Sequence, residues 1–188
     1  MPLIKECTVL VIGGSSGIGY GVVEKYLLEG VKVYIASSNA SWVGKSAVAL
    51  KQKFSSAEIT AHICDLAAKL VLWFLNAGPK LSLTLIMGAG SEKSFPNWLL
   101  VGGYLTGLYG ITRNLALDLK PLRVNLVSSG VIATPFWGSG GVPDNVKDTT
   151  TLGKVGMVEE VAEVYVYLMK DTNATGVCIS TNAGSLLL

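Results

Sequence analysis

The stretch CTVLVIGGSSGIGYGVVEKYLLEG, Cys7 to Gly30, decides the fold. It opens as a short apolar run that ends in glycine, the pattern of a buried parallel strand. It continues as a helix with Ile18, Val22 and Tyr26 on one face and Gly30 as its stop. Between the two lie Gly13, Gly17 and Gly19, at G-x-x-x-G-x-G spacing. In such a turn Gly13 permits a sharp exit from the strand, and Gly17 lets the backbone come close to a pyrophosphate. Gly19 lets the helix pack close to the sheet. The phosphate charge would meet the free N–H groups of the helix N-terminus, to which Ser15, Ser16 and Ile18 also belong. A tight strand-to-helix turn with no ligand is the plainer reading of the same glycines.

Reading outward, KVYIA is a second strand, SWVGKSAVALKQKF a second helix and EITAHIC a third strand. This alternation argues for βαβ units and a parallel sheet. LVLWFLNAG and LTLIMGAG read as two more strands. WLLVGGYLTGLYGITRNLA, Trp98 to Ala116, reads as a long, mostly buried helix. After it come a strand LRVNLVSSG, a Gly/Pro-rich loop from Gly138 to Pro143, a helix VEEVAEVYVYLMK and a last strand near TGVCIST. The expected fold is α/β: a Rossmann-type doubly wound parallel sheet in three layers, with residues 1–188 forming one domain.

Two junctions are too short for that plan. Only about four residues separate the apparent strands in NAGPKLSLTLIMG, whereas a parallel pair needs a crossover of about a dozen or more. CDLAAKLVLWF is equally tight between Asp65 and Leu70. Either the first pair is an antiparallel hairpin or segments are absent from this chain, by truncation, splicing or omission. The reading favoured is that one or two helices are missing.

Composition narrows the function classes. The net charge is +2 without a Lys/Arg run, which argues against nucleic acid and anionic membranes as partners. Half of the residues are hydrophobic, which suits central strands covered on both faces. The apolar N-terminal run ends in a glycine turn and so does not read as a signal peptide; no run reads as a membrane span. Cys7, Cys64 and Cys178 lack metal-ligand spacing and read as buried thiols of a reducing compartment, so a cytoplasmic location is expected. No zinc-like cluster is suggested, and His62 reads as structural.

Taken together, these motifs resemble the short-chain dehydrogenase/reductase family. The glycine loop matches, with Ile12 where the family usually has Thr. CDL matches the segment whose Asp, here Asp65 beside Leu66, contacts adenine. Asn76, Ala77 and Gly78 match the family's Asn-Ala-Gly, and GITRNLALDLKPLRVNLVSSGVIATPFW matches the second half of the active-site helix and the loop that reaches the nicotinamide. The resemblance implies that Gly130, Ile132 and Thr134 hold the nicotinamide end, with Ser129 where the family has Pro. It also implies that the missing helices flank the family's fourth strand; the second of them commonly builds a dimer interface, and a homo-oligomer is among the expected states. The end of the second strand carries Ser37, Ser38 and Asn39 and no carboxylate. These neutral groups can accept a 2′-phosphate, with Lys45 nearby, which tilts the expectation towards NADP(H) over NAD. Capping of the next helix, which Ser41 can do alone, is the plainer role for this segment.

The same register exposes a loss. The family's catalytic Tyr falls on Val101, its Lys on Leu105 and its Ser near Met87–Gly88. Tyr104 lies three residues further, about 300° around the helix, and Leu108 stands where its Lys would be. Tyr104 and Trp98 are the remaining catalytic candidates, and the catalytic group is otherwise unknown. Certain fungal members share this loss, and PNWLLVGGY is similar to the helix start of the NADPH-dependent reductases/Diels–Alderases of bicyclic indole-alkaloid biosynthesis. Those reduce an iminium-type substrate, which needs hydride and no acid. Their Asp before the Pro is Phe95 here, which puts their cyclisation chemistry in doubt. Phe95, Trp98 and Trp137 would form an aromatic pocket for a flat apolar small molecule; ordinary core and lid packing is the alternative. The expected function is an NADP(H)-dependent oxidoreductase of fungal secondary metabolism. The alternatives are a cofactor-bound, non-redox protein that guides a cyclisation or isomerisation, and a non-catalytic remnant.

Overall fold

The computed structural model describes residues 4, 5, 7–63 and 82–188. The run LVLWFLNAG, both short junctions in part, and Cys64, Asp65, Leu66, Asn76, Ala77 and Gly78 lie outside the described residues. The first half is β1 (Thr8–Ile12), α1 (Gly17–Leu28), β2 (Lys32–Ser37), α2 (Ala40–Lys53) and β3 (Ile59–Ile63). The second is β4 (Ser82–Gly88), α3 (Leu99–Asp118), β5 (Arg123–Ser129), α4 (Val158–Lys170) and β6 (Cys178–Thr181), with short 3₁₀ turns at Ala89–Ser91, Pro135–Trp137 and Asp144–Thr149.

The described strands form two parallel three-stranded sheets, ordered β1-β2-β3 and β4-β5-β6. Each pairing is a right-sized βαβ step, as the alternation of runs requires. Every residue of β5 is buried, so this strand is covered on both faces, by α3 and α4, the helices packed against it. The three-layer arrangement is realised at this point.

Helix α1 joins the two halves. Val22, Val23, Tyr26 and Leu27 are buried with Val11, Val33 and Ile35 of the first sheet and with Ala162 and Val166 of α4. On the second sheet, α4 buries Val161 and Leu168 against Val127. Gly21 sets the helix separation, because a Cβ there would lie 2.0 Å from the Val158 Cγ1. Burial of the Tyr26 and Tyr165 rings pushes both phenols well above their ordinary pKa, so they serve as neutral core residues.

Several expectations are corrected. The helix begun at Trp98 is not mostly buried: of α3 only Thr112 is buried, and Leu99 and Leu100 are 88% and 85% exposed. It rests one face on β4, β5 and the Ala89–Ser91 turn, and its outward face is apolar but exposed. Cys7, just before β1, and Cys178, at the start of β6, are half-buried free thiols. Asn39, not Ser41, caps α2: its Oδ1 accepts from the Trp42 N–H at 3.0 Å, and Ser41 falls inside the helix. His62 is exposed and stacks on Tyr34 with ring centroids 6.0 Å apart.

Arg123 closes the end of α4. Its Nη1 donates to the Leu168 and Asp171 carbonyls at 2.7 Å each, and Nη2 to Met169 at 3.1 Å. These are carbonyls a helix end leaves unpaired. Burial holds the guanidinium below its ordinary pKa, yet it stays charged at neutral pH. Arg123→Met is expected to destabilise the fold by about 3 kcal/mol, against within about 0.5 kcal/mol for the exposed Lys51→Met, read from urea unfolding midpoints.

Candidate functional site

The glycine turn is built as its sequence implies. Gly13 has φ +77 and Gly17 φ +53, a region that non-glycine residues enter only with strain. The Gly13 N–H donates to the Ala36 carbonyl at 2.7 Å, which seats the turn beside the end of β2. A Cβ on Gly19 would lie 2.3 Å from the Gly13 carbonyl oxygen. The close approach at Gly19 is therefore to the turn itself as well as to the sheet. Ser16 precedes α1 in extended geometry and makes no side-chain cap, so its hydroxyl is available beside the helix N-terminus. A Cβ on Gly17 would sit 3.7 Å from the Thr134 side chain. Such a Cβ would be in ordinary contact with Thr134, so the turn and that loop face each other across a narrow cleft. A helix N-terminus, an uncommitted hydroxyl and such a cleft fit a pyrophosphate.

The second wall comes from the other sheet. The Gly130 N–H donates to the Thr181 carbonyl at 3.0 Å, and a Cβ on Gly130 would lie 2.8 Å from the Asn182 Cα. β5 thus runs on close against the end of β6 before it reaches the Ile132–Thr134 segment. Ile132 is buried, and its carbonyl accepts from Trp137 Nε1 at 3.0 Å. Trp137 thus belongs to the wall, and Phe136 packs edge-on against it at 5.6 Å.

The third wall follows β4. Trp98 lies over Gly90, where a Cβ would come within 3.0 Å of its ring, and its centroid is 5.3 Å from Phe95. Val101 and Leu105 line the same wall, as does the ring of Tyr104, which is 67% exposed. The described residues frame one cavity of about 1770 Å³ that brings together Gly13, Ser16, Gly17, Ile18 and Gly19; Gly130, Ile132 and Thr134; and Phe95, Trp98 and Trp137. Ser15, Ser37, Ser38 and Asn39 do not line it; Ser37 ends β2 and Ser38 and Asn39 follow it, and the Gly13 bond ties that strand to the turn. Sequence reading missed Phe136, Gly90 and the lysine at 93. The adjacency of Phe136 to Trp137 was the available signal for the first.

What this arrangement can do chemically is limited by its wall. The Val101, Leu105 and Met87–Gly88 positions carry no proton-transfer group. Among the described residues there is no group of three potential metal ligands, and no helix is long and apolar enough to cross a membrane.

Comparison with known proteins places this geometry in a class. A family model described as an SDR-like Rossmann domain matches residues 62–188. The chain therefore belongs to the short-chain dehydrogenase/reductase family, whose Rossmann fold binds nicotinamide dinucleotides. It is similar to the short-chain dehydrogenase/reductase malC of Malbranchea aurantiaca, at 30% identity over 254 aligned positions covering 98% of this chain and 96% of the relative. It is 31% identical to fsr5 of Gibberella fujikuroi over 249 positions, covering 95% and 94%. Both alignments run longer than the 188 residues of this chain, so each relative has residues with no counterpart here, in keeping with missing segments. The solved structure of MalC Reductase/Diels-Alderase superposes with a TM-score of 0.88, covering 99% of this chain and 98% of that one at 30% identity. An NADPH-bound short-chain oxidoreductase from Pseudomonas aeruginosa with an atypical catalytic center shares the fold, with a TM-score of 0.82 at 19% identity, covering 96% and 98%.

Gly17→Val tests the cradle. The side chain is expected to fill the cleft facing Thr134 and to weaken NADPH binding at least tenfold, for a stability loss of about 1–2 kcal/mol. A fluorescence titration beside a urea melt separates the two effects.

Proposed function

We propose that the chain is an NADP(H)-dependent oxidoreductase acting on a large apolar substrate in fungal secondary metabolism, with hydride transfer that dispenses with the Tyr/Lys relay. One observation carries this reading: the glycine turn, Thr134 and the aromatic residues Phe95, Trp98 and Trp137 share a single cavity, while Val101 and Leu105 stand at the relay positions. When bound, the dinucleotide supplies or accepts hydride. The chain's own part is to grip the pyrophosphate with Gly13–Gly19, to hold the nicotinamide end with Gly130, Ile132 and Thr134, and to orient the substrate against the aromatic wall. A substrate that already carries a cationic C=N needs no acid, which suits a wall without one.

Preference for NADP(H) is supported by Ser37 at the end of β2 and by Ser38 and Asn39 after it, with no carboxylate among them to repel a 2′-phosphate. Capping of α2 occupies the Asn39 Oδ1 and leaves Ser37 and Ser38 as the principal candidates. Self-association in the cytoplasm belongs to the same reading, supported by the exposed apolar side chains of α3. A second reading, a cofactor-bound protein that guides a cyclisation by shape, is favoured by the similarity to a reductase/Diels-Alderase.

NADPH is expected to bind at least tenfold more tightly than NADH by fluorescence titration. A folded preparation that ignores both dinucleotides at millimolar levels would overturn the reading and leave the non-catalytic alternative. Consumption of NADPH with cyclic iminium substrates separates the redox reading from the shape-only one. Trp98→Ala is expected to lower kcat/KM about tenfold or more without changing NADPH affinity; full turnover in that variant would remove Trp98 from the pocket.

A further inference from the structure

Beyond β6 the backbone bends sharply and is pinned at both ends of the bend. Asn182 packs on Gly130, at the head of the wall that leads to Thr134. Its Oδ1 accepts from the Gly184 N–H at 2.9 Å, and its Nδ2 donates to the Ser180 Oγ at 2.8 Å. Ala183 and Gly184 follow with φ +53 and +78. Alanine enters that region only with strain, and such strain persists where the surroundings fix the backbone. Here the Ala183 carbonyl accepts from the Leu152 N–H at 3.2 Å and from the Thr151 hydroxyl at 3.3 Å. A Cβ on Gly184 would lie 1.8 Å from the Thr151 Oγ1. Two further turns, Ser185 N–H to the Asn182 carbonyl at 3.1 Å and Leu187 N–H to the Gly184 carbonyl at 3.0 Å, carry the bend onward.

The far end is held by a different wall. The Lys93 ammonium donates to the backbone oxygens of Ser185, at 3.4 Å, and Leu188. Lys93 belongs to the same turn as Gly90: its N–H and that of Glu92 both donate to the Ala89 carbonyl at 3.0 Å. The Trp98 ring rests on that turn at Gly90. One residue before Lys93, the Glu92 carboxylate accepts from the Ser180 hydroxyl at 3.3 Å. The turn after β4 therefore grips the chain on both sides of the bend, through Glu92 before it and Lys93 after it. The run Asn182–Leu188 thus reaches from the Gly130 wall to the turn beneath Trp98. Within it Ser185 and Leu186 are half-buried and line the cavity, while Leu187 and Leu188 are exposed.

We propose that Asn182–Leu188 is a strap that sets the width of the substrate end of the cavity, with Lys93 as the positioning residue that latches it. The two halves of the strap are held unequally. Its inner half is fixed by Gly130, Thr151 and Leu152, and its outer half hangs on the donors of one flexible side chain. Releasing that latch widens the opening without disturbing the glycine turn. This inference rests on the pocket assignment above and narrows the substrate class by size: flat ring systems that pass beneath the closed strap are admitted, and broader ones are turned away. Lys93 acts through the strap, and no proton is routed through it.

The test uses two uncharged probes of different breadth, 2-naphthalenemethanol and 1-pyrenemethanol, titrated into the NADP⁺-loaded protein by fluorescence anisotropy. The readout is the ratio of their affinities. Lys93→Met is expected to shift that ratio about tenfold towards the pyrene alcohol, and a chain stopped at Gly184 to shift it at least as far. Lys93→Arg, which keeps the donors, is expected to preserve the ratio of the unmodified protein. Leu186→Trp, which thickens the strap, is expected to shift it towards the naphthalene alcohol, and it keeps the proposal falsifiable if the shortened chain does not fold. A merely structural role for Lys93 would weaken both alcohols together and leave the ratio unmoved. NADP⁺ affinity, measured in the same samples, is expected to be unchanged in every variant; its loss in the unmodified protein would count against the cofactor reading instead. The proposal is overturned if the ratio stays fixed in Lys93→Met or in the shortened chain, if Lys93→Arg shifts it as far as Lys93→Met, or if neither alcohol binds to NADP⁺-loaded protein.

Discussion

The contact of α1 with α4 at Gly21 and Val158 is the constraint on which the rest depends. Among the described residues the two sheets share no strand pairing, and α1 and α4 pack together across them so closely at Gly21 that a Cβ there would lie 2.0 Å from the Val158 Cγ1. Burial of Val22, Val23 and Tyr26 on one side and Val161 and Val166 on the other then builds a common core. At roughly 25 cal/mol per Å² of apolar surface, a handful of such side chains contributes several kcal/mol, comparable to the net stability of a domain.

From that packing the site follows. α1 begins at the glycine turn and α4 follows the loop that contains Thr134, so fixing the two helices also fixes the distance across the cleft between Gly17 and Thr134. The carboxylate of Glu92 plays the corresponding part on the far side, holding the turn that carries Phe95 and leads to Trp98 onto β5 and β6. Where the family's helix offers a phenol and an amine, α3 offers Val101 and Leu105, and the charge that does line the cavity sits on a different element.

Much of this was legible in the residues. Apolar runs ending in glycine marked β1 and β4, and the Gly13/Gly17/Gly19 spacing marked the cradle, because both signals are local. What was not legible depends on distant partners. Gly21 looks like any helical glycine until Val158 is placed against it. The start of α3, LLVGGYLTGLYG, is apolar around its whole circumference, so its pattern cannot say which side is covered; it reads as buried, and the structure exposes most of it. Asn39 and Ser41 are both acceptable caps, and backbone geometry chose between them. Lys93 sits in SEKS, a stretch with the look of a solvated turn, and only the folded cavity wall sets it apart.

The cleft between Gly17 and Thr134 has one bank on each sheet. A molecule that spans it touches residues contributed by both halves at once, so its binding energy is also cohesion between them. Occupancy and assembly are then thermodynamically linked: whatever fills the cleft works as a cross-brace, and the halves gain rigidity from it in proportion to how far its concentration exceeds its dissociation constant. In a chain where helix packing supplies the described connection between sheets, that brace would serve architecture as much as chemistry.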